Sequence, residues 1–347
     1  MLAGQRGIPI VDEAPVEVTR DDNGVTGLRL ESGRTLAADL YLDASGPQSL
    51  LLGKRLAEPF SSYEDALFCD RAVVGAWQRV SEPIQPYTTA ETMDAGWCWQ
   101  IEHDQRISRG YVYSSGFKGD GDAETEFRAS NPKVQSVRTL AFRSGRHERF
   151  WVKNVVGIGS AAAYVEPLEA TVPAAIGFLC QNLADALADC DLQPTRTSIY
   201  NFNRQQARFW DATRDFLAVH YRFNGRLDTP FWRACREQAN LHWAQRLVDF
   251  YQENGPSVLW RRTLADETDL HEFGMEGYLA LLIGQDVPHR SKYVPSEEDR
   301  ANWAKIQQSI CNRAASAFTV PEALALVRSA FWGWPERLYD RPLLTRP

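Results

Sequence analysis

Residues 154–177, NVVGIGSAAAYVEPLEATVPAAIG, leave the backbone few paths. Val155, Val156 and Ile158 form a short apolar run that stops at Gly157 and Gly159, the pattern of a buried strand closing in a tight loop. Small residues follow, and from EATVPAAIGFLCQNLADALADC onward apolar residues recur at helical spacing. Strand, small-residue loop and helix start bring free N–H groups and the positive end of a helix dipole to one point, a setting for an anion or phosphate. The glycines and alanines let a flat ligand approach the backbone. A tightly packed strand–helix crossover would leave the same trace. Two glutamates, Glu166 and Glu169, flank the turn, and each could cap the helix or carry chemistry.

The rest of the chain divides on either side of this stretch. PVEVTR, the turn DDNG, VTGLRLESGRTL and ADLYLDASG read as a small antiparallel meander running into a buried, parallel strand. RAVVGAWQRV, GWCWQIEH, RGYVYSSGF and RTLAFRSGRHERFWV are short aromatic and β-branched runs that predict a second, larger sheet. Beyond residue 195 helical patterns dominate: NRQQARFWDATRDFLAVHYR, PFWRACREQANLHWAQRLVDFYQ, DRANWAKIQQSICNRAASAF and PEALALVRSAFW. The expected class is mixed α/β, with residues 1–66, 67–150, 151–190 and 191–347 as successive parts.

Composition narrows the function. A net charge of −7 with scattered basic residues argues against a nucleic-acid partner. Six separated cysteines without metal-ligand spacing, and no signal-like N-terminus, predict reduced thiols in the cytoplasm and no metal site. No apolar stretch approaches the roughly 20 residues that cross a bilayer. Two further motifs stand out. In LYLDASGPQSLL, Ser45 and Gly46 end a strand in a loop open to a cofactor or to nothing more than a turn. In GWCWQIEH, Trp97 and Trp99 share one face of a strand and could wall an aromatic cavity or fill the core.

Taken in order, these segments resemble the flavin-dependent tryptophan halogenase family. Trp97-Cys98-Trp99-Gln100-Ile101 stands where that family has Trp-x-Trp-x-Ile-Pro, with Glu102 in place of the proline. FRSGRHERFWVKNVVGIGSAAAYVEPLEAT is similar to its flavin, halide and substrate segment, and FNRQQARFWDATRDFLAVHYRFNGRLDTPFW and GYLALLIGQDVP to its helical region. The resemblance implies a flavoprotein monooxygenase-like fold using reduced FAD from a separate flavin reductase, O2, and chloride or bromide. The electrophile is delivered to tryptophan or a related indole or phenol. It implies Glu169 as the catalytic carboxylate. Cofactor contacts are implied at Val16, Ser45, Gly46, Gly159, Ser160, Ala161 and Pro173, chloride at the backbone of Thr171 and Val172, and substrate contacts at Trp97, Trp99, Glu169 and Tyr278. A homodimer is compatible with it.

The departures matter equally. The family's G-x-G-x-x-G and catalytic lysine have no counterpart, and Lys54, Lys118 and Lys153 lie in other contexts. The expectation is therefore the C-terminal part of a halogenase whose FAD-binding βαβ unit is missing, inactive alone. Ala170-Thr171-Val172 replaces Ser-Thr-Gly, so a left-handed conformation at Val172 would be costly. Competing readings are a non-catalytic remnant or binding module of the same fold, and a flavin monooxygenase that uses no halide.

Overall fold

The computed structural model describes residues 2–257 and 273–329. After a helical turn, α1 (Leu2–Gln5), the meander forms as expected from β1 (Pro15–Asp21), β2 (Gly24–Leu30) and β3 (Thr35–Leu36). Asp21 makes its first turn by accepting the N–H groups of Asn23 and Gly24 at 2.7 and 3.2 Å. The predicted parallel strand is β4 (Tyr41–Asp43). It lies beside β13 (Val155–Gly157), which is flanked in turn by β12 (Trp151–Val152). Burial is one-sided, however: Leu42 is 52% exposed between buried Tyr41 and Asp43. Asn154 joins the meander to this pair, its amide bonded to both the N–H and the C=O of Val25.

The larger sheet has the order β10 (Val137–Ala141), β6 (Arg71–Gln78), β9 (Arg106–Tyr113), β8 (Gly96–Glu102), β7 (Thr89–Met93). RTLAFRSGRHERFWV, read as part of that sheet, is divided among three. Only β10 stays in it; β11 (Gly145–His147) pairs with β5 (Phe60–Ser62) and β14 (Ala163–Tyr164), and β12 with β13. The break falls at Gly145, where a Cβ would stand 2.4 Å from the Ser61 carbonyl oxygen. Helix α2 (Asp120–Ser130) was not legible, because Ala123 and Phe127 are its only buried residues and Gly119 caps it without a side chain.

Helices α3 (Thr171–Ala188), α4 (Arg196–Arg222), α5 (Pro230–Gln238), α6 (Ala244–Asn254) and α7 (Gly274–Gly284) follow. The single helix expected over PFWRACREQANLHWAQRLVDFYQ is two. Asn240 donates from its N–H and side-chain amide to Asp65, both at 2.9 Å, and His242 adopts φ 46°, so the chain leaves the helical path between α5 and α6. Helix α4 carries the core of this unit, burying Phe209, Trp210, Phe216, Leu217 and Val219. Asn203 pins α4 to β12: its Oδ1 accepts the N–H groups of Phe150 and Trp151, and its Nδ2 donates to the Trp151 carbonyl. Asn203→Ala leaves three buried backbone groups unpaired, and should cost about 3 kcal/mol in urea denaturation.

The chain forms two compact units. Residues 1–76, 90–99 and 109–291 make the first; residues 77–89, 100–108 and 292–347 make the second. In the second, α8 (Glu297–Ala315) and α9 (Val320–Val327) start at reciprocal capping boxes, Ser296 with Asp299 and Thr319 with Glu322. Arg79 pairs with Glu102, and Arg328 with Asp104. The end of PEALALVRSAFW lies outside the described residues. No described helix is long and apolar enough to cross a membrane.

Candidate functional site

Strands β4 and β13 are parallel, so the loops that leave their carboxyl ends emerge side by side, the position at which open α/β sheets bind ligands. Asp43, at the end of β4, organises the first loop. Its carboxylate accepts the backbone N–H and hydroxyl of Ser45 and the N–H groups of Leu51 and Leu52. Ser49 ties the two loops together by donating to the Ala161 carbonyl at 2.6 Å. The second loop turns at Gly159, φ 59°, and a Cβ added at Gly46 would lie 3.9 Å from Ser160 Oγ. Ser45, Gly46, Gly159, Ser160 and Ala161 are thus gathered at one end of one sheet.

A cleft of about 260 Å³ opens beside them, lined by Pro47, Phe60, Ala72, Leu140, Ala141, Phe142, Arg143, Ser160 and Tyr164. Its chemistry suits a flat, electron-rich, anionic group. Phe142 and Tyr164 meet edge to face at 5.4 Å, and the Arg143 guanidinium lies 3.4 Å over the Phe60 ring.

The VEPLEAT turn runs from this cleft to α3. Glu166 is wholly buried: Trp97 Nε1 donates to its Oε1 at 3.1 Å, and the Tyr221 hydroxyl donates to the same oxygen. Burial pushes its carboxyl up to about 7, against the hydrogen bonds from Tyr221 and Trp97. Glu169 differs. Its side chain is 45% exposed, and Oε1 sits 3.0 Å from Nε2 of His220. That hydrogen bond holds it below the ordinary carboxylate value, outweighing burial, so it is ionised at neutral pH. The left-handed residues are Glu169 (φ 62°) and Ala170 (φ 51°); the strain anticipated at Val172 falls on them instead. Ala170→Gly should therefore stabilise the chain by about 0.5–1 kcal/mol in thermal denaturation, after the entropy cost of glycine.

At the start of α3, Thr171 is buried with its hydroxyl unpartnered, beside the N–H groups that a helix's first turn leaves free. An orphaned donor at a helix start suits a small anion. Pro173 is exposed in the same turn. Helix α4 supplies the facing wall. His220 donates from Nδ1 to the Phe216 carbonyl at 3.1 Å, and its ring packs edge-on to Phe216. Phe216 stacks on Phe273 with centroids 3.9 Å apart and meets Tyr278 edge-on at 5.0 Å.

Glu169 and Tyr278 are thereby joined through one face of α4. Trp97 is core and spends its N–H on Glu166, while Trp99 lies against Gly110. Val16 is exposed on β1. Lys118 pairs with Asp94 and Glu126. Asp43, Phe216, His220 and Tyr221 escaped the sequence reading; the i, i+4 spacing of Phe216 and His220 was the available signal for two of them.

Paired loops at the end of a parallel strand pair and a carboxylate at a helix start outline a site, and the comparisons give the family. The family model described as tryptophan halogenase matches residues 1–299, and the chain belongs to that family. Tryptophan 6-halogenase ThaL of Streptomyces albogriseolus is 37% identical over 243 residues, covering 67% of this chain and 45% of that protein. Tryptophan 7-halogenase RebH of Lentzea aerocolonigenes is 36% identical over 252 residues, covering 71% and 47%. Among solved structures, MibH, a lathipeptide tryptophan 5-halogenase, superposes with a TM-score of 0.80 at 39% identity, covering 88% of this chain and 59% of that one. BrvH, a flavin-dependent halogenase from Brevundimonas sp. BAL3, gives 0.83 at 28%, covering 93% and 66%. The chain spans about half the length of the curated relatives it matches.

Proposed function

We propose that this chain forms the halide and substrate side of a flavin-dependent halogenase acting on tryptophan, free or within a peptide, or on a related indole or phenol. The observation that carries the reading is Glu169, half exposed and hydrogen-bonded to His220 of α4, two residues from the unpartnered Thr171 hydroxyl at the start of α3. Reduced FAD, when bound, would activate O2, the oxidant that makes halide electrophilic. Ser45, Gly46, Gly159, Ser160 and Ala161 would border its ring, and Pro173 and Val16 are further candidate contacts. Thr171 and Val172 would hold chloride or bromide through backbone N–H groups. Trp97 and Tyr278, both core, would support a substrate pocket from within, and Trp99 is a further candidate contact. Glu169 would orient the halogenating species and take the proton that the ring loses when aromaticity returns.

The same reading calls for a flavin reductase as partner in the cytoplasm, in keeping with six free cysteines. Sedimentation would tell a homodimer from a monomer. The reaction itself is tested by mass spectrometry of indole, tryptophan and tryptophan-peptide incubations with FAD, reductase and O2. With a G-x-G-x-x-G and lysine-bearing segment of the family supplied in trans, halogen isotope patterns that require chloride or bromide are expected. Oxygenated product formed equally well without halide would contradict halogenation.

A further inference from the structure

We propose that Glu166 is the positioning residue of the VEPLEAT turn: its buried carboxyl binds Trp97 of β8 and Tyr221 of α4 to the segment carrying Glu169, and so fixes where the Glu169 carboxylate stands. The inference rests on the reading of Glu169 as the working carboxylate. Two carboxyls three residues apart hold two consecutive residues of α4, Glu166 taking Tyr221 and Glu169 taking His220. The backbone between them is tight. Ala170 donates its N–H to the Pro167 carbonyl at 2.9 Å, and Glu169 and Ala170 are both left-handed. Such a conformation persists only where its surroundings over-determine it. Glu169, half exposed and held by one side-chain bond, does not supply that constraint; the buried end at Glu166 does.

The ionisable groups around Glu166 are phenols and thiols: Tyr164 on β14, Tyr221 on α4, Cys69 ahead of β6 and Cys235 on α5. Each is shifted upward and stays neutral near pH 7. Cys69 Sγ also reaches the Tyr221 hydroxyl at 3.4 Å, so the anchor is a connected network rather than one bond. Its Oε2 is buried without a hydrogen-bond partner, which fits a carboxyl kept as the neutral acid.

Carbon-detected NMR of the full chain labelled at glutamate side chains reads the proposal directly, through the Glu169 titration and the Ala170 and Thr171 amides. Glu166→Leu removes the acceptor: the Glu169 titration is expected to move upward as the His220 bond loosens, and both amides to shift. Glu166→Gln keeps an acceptor oxygen and should restore both signals to their wild-type positions, a rescue that lost packing alone would not show. Tyr221→Phe, which breaks one arm and keeps the ring, should move Glu169 in the same direction and decides the matter if Glu166→Leu does not fold. A folded Glu166→Leu or Tyr221→Phe chain with Glu169 and both amides unmoved overturns the proposal. Failure of the Glu169 reading is seen separately, as halogenation that survives Glu169→Gln.

Discussion

With a G-x-G-x-x-G and lysine-bearing segment of the family supplied in trans, the proposed role of Glu169 predicts that Glu169→Gln lowers formation of halogenated product by roughly a hundred- to ten-thousand-fold, the range of a removed general acid–base group, while leaving the fold in place. The substitution is nearly isosteric, and the side chain is half exposed with a single bond to His220. Stability should therefore change little. What disappears is the negative charge that the His220 bond maintains. The pH profile follows from the same shift. Product formation needs the ionised carboxylate, so wild-type activity falls as pH drops through a value below the ordinary 4.5 of a glutamate. Steady-state product yields at neutral pH for the two proteins, with thermal melts alongside, check both halves. A variant that retains wild-type yield would remove Glu169 from the chemistry.

The second large effect is on stability and has the opposite pH sense. Glu166 titrates near 7 in the folded chain against 4.5 for an ordinary glutamate, so the folded state binds its proton more tightly than the unfolded state does. The stability this confers is complete below about pH 4.5 and is lost as pH rises through 7. At about 1.4 kcal/mol per unit, urea denaturation should show about 2–3 kcal/mol lost between pH 5 and pH 8. Glu166→Gln cannot ionise and lacks this loss. Asp215, buried and raised to about 6, acts in the same direction, while Glu169 and Asp211 are lowered and act in the opposite one; all three are common to both proteins. The difference between the two pH curves isolates Glu166. Parallel curves would show that it does not carry the proton in the folded core.

Much of the fold was legible where one physical signal dominated. The meander declared itself through turn residues at 21–24 and 32–33, and the parallel strand β4 through LYLD running into a glycine loop. Helices α3 and α4 followed from apolar spacing. The failures have local causes. RTLAFRSGRHERFWV has the composition of one strand region, but the close approach at Gly145 redirects it, and that contact involves Phe60 and Ser61, more than 80 residues away in sequence. The α5–α6 break depends on Asp65 in the same way. At the site, Glu169 was singled out through a family resemblance, whereas the carboxylate that structures the first loop, Asp43, and the anchor, Glu166, depend on partners no local pattern contains. The left-handed strain was assigned to Val172 by substitution logic, yet the chain places it at Glu169 and Ala170, beside the Thr171 hydroxyl.

The halide niche is the part of the account that one measurement reaches without turnover. Crystals of the chain soaked in bromide and recorded at the bromine absorption edge should show an anomalous peak at the start of α3. It should lie within hydrogen-bonding reach of the Thr171 hydroxyl and the Thr171 and Val172 backbone N–H groups, and beside Glu169. Bromide that fills surface sites while the 169–172 turn stays empty, at concentrations that support halogenation, would contradict the assignment of this turn as the place where halide, carboxylate and aromatic ring meet.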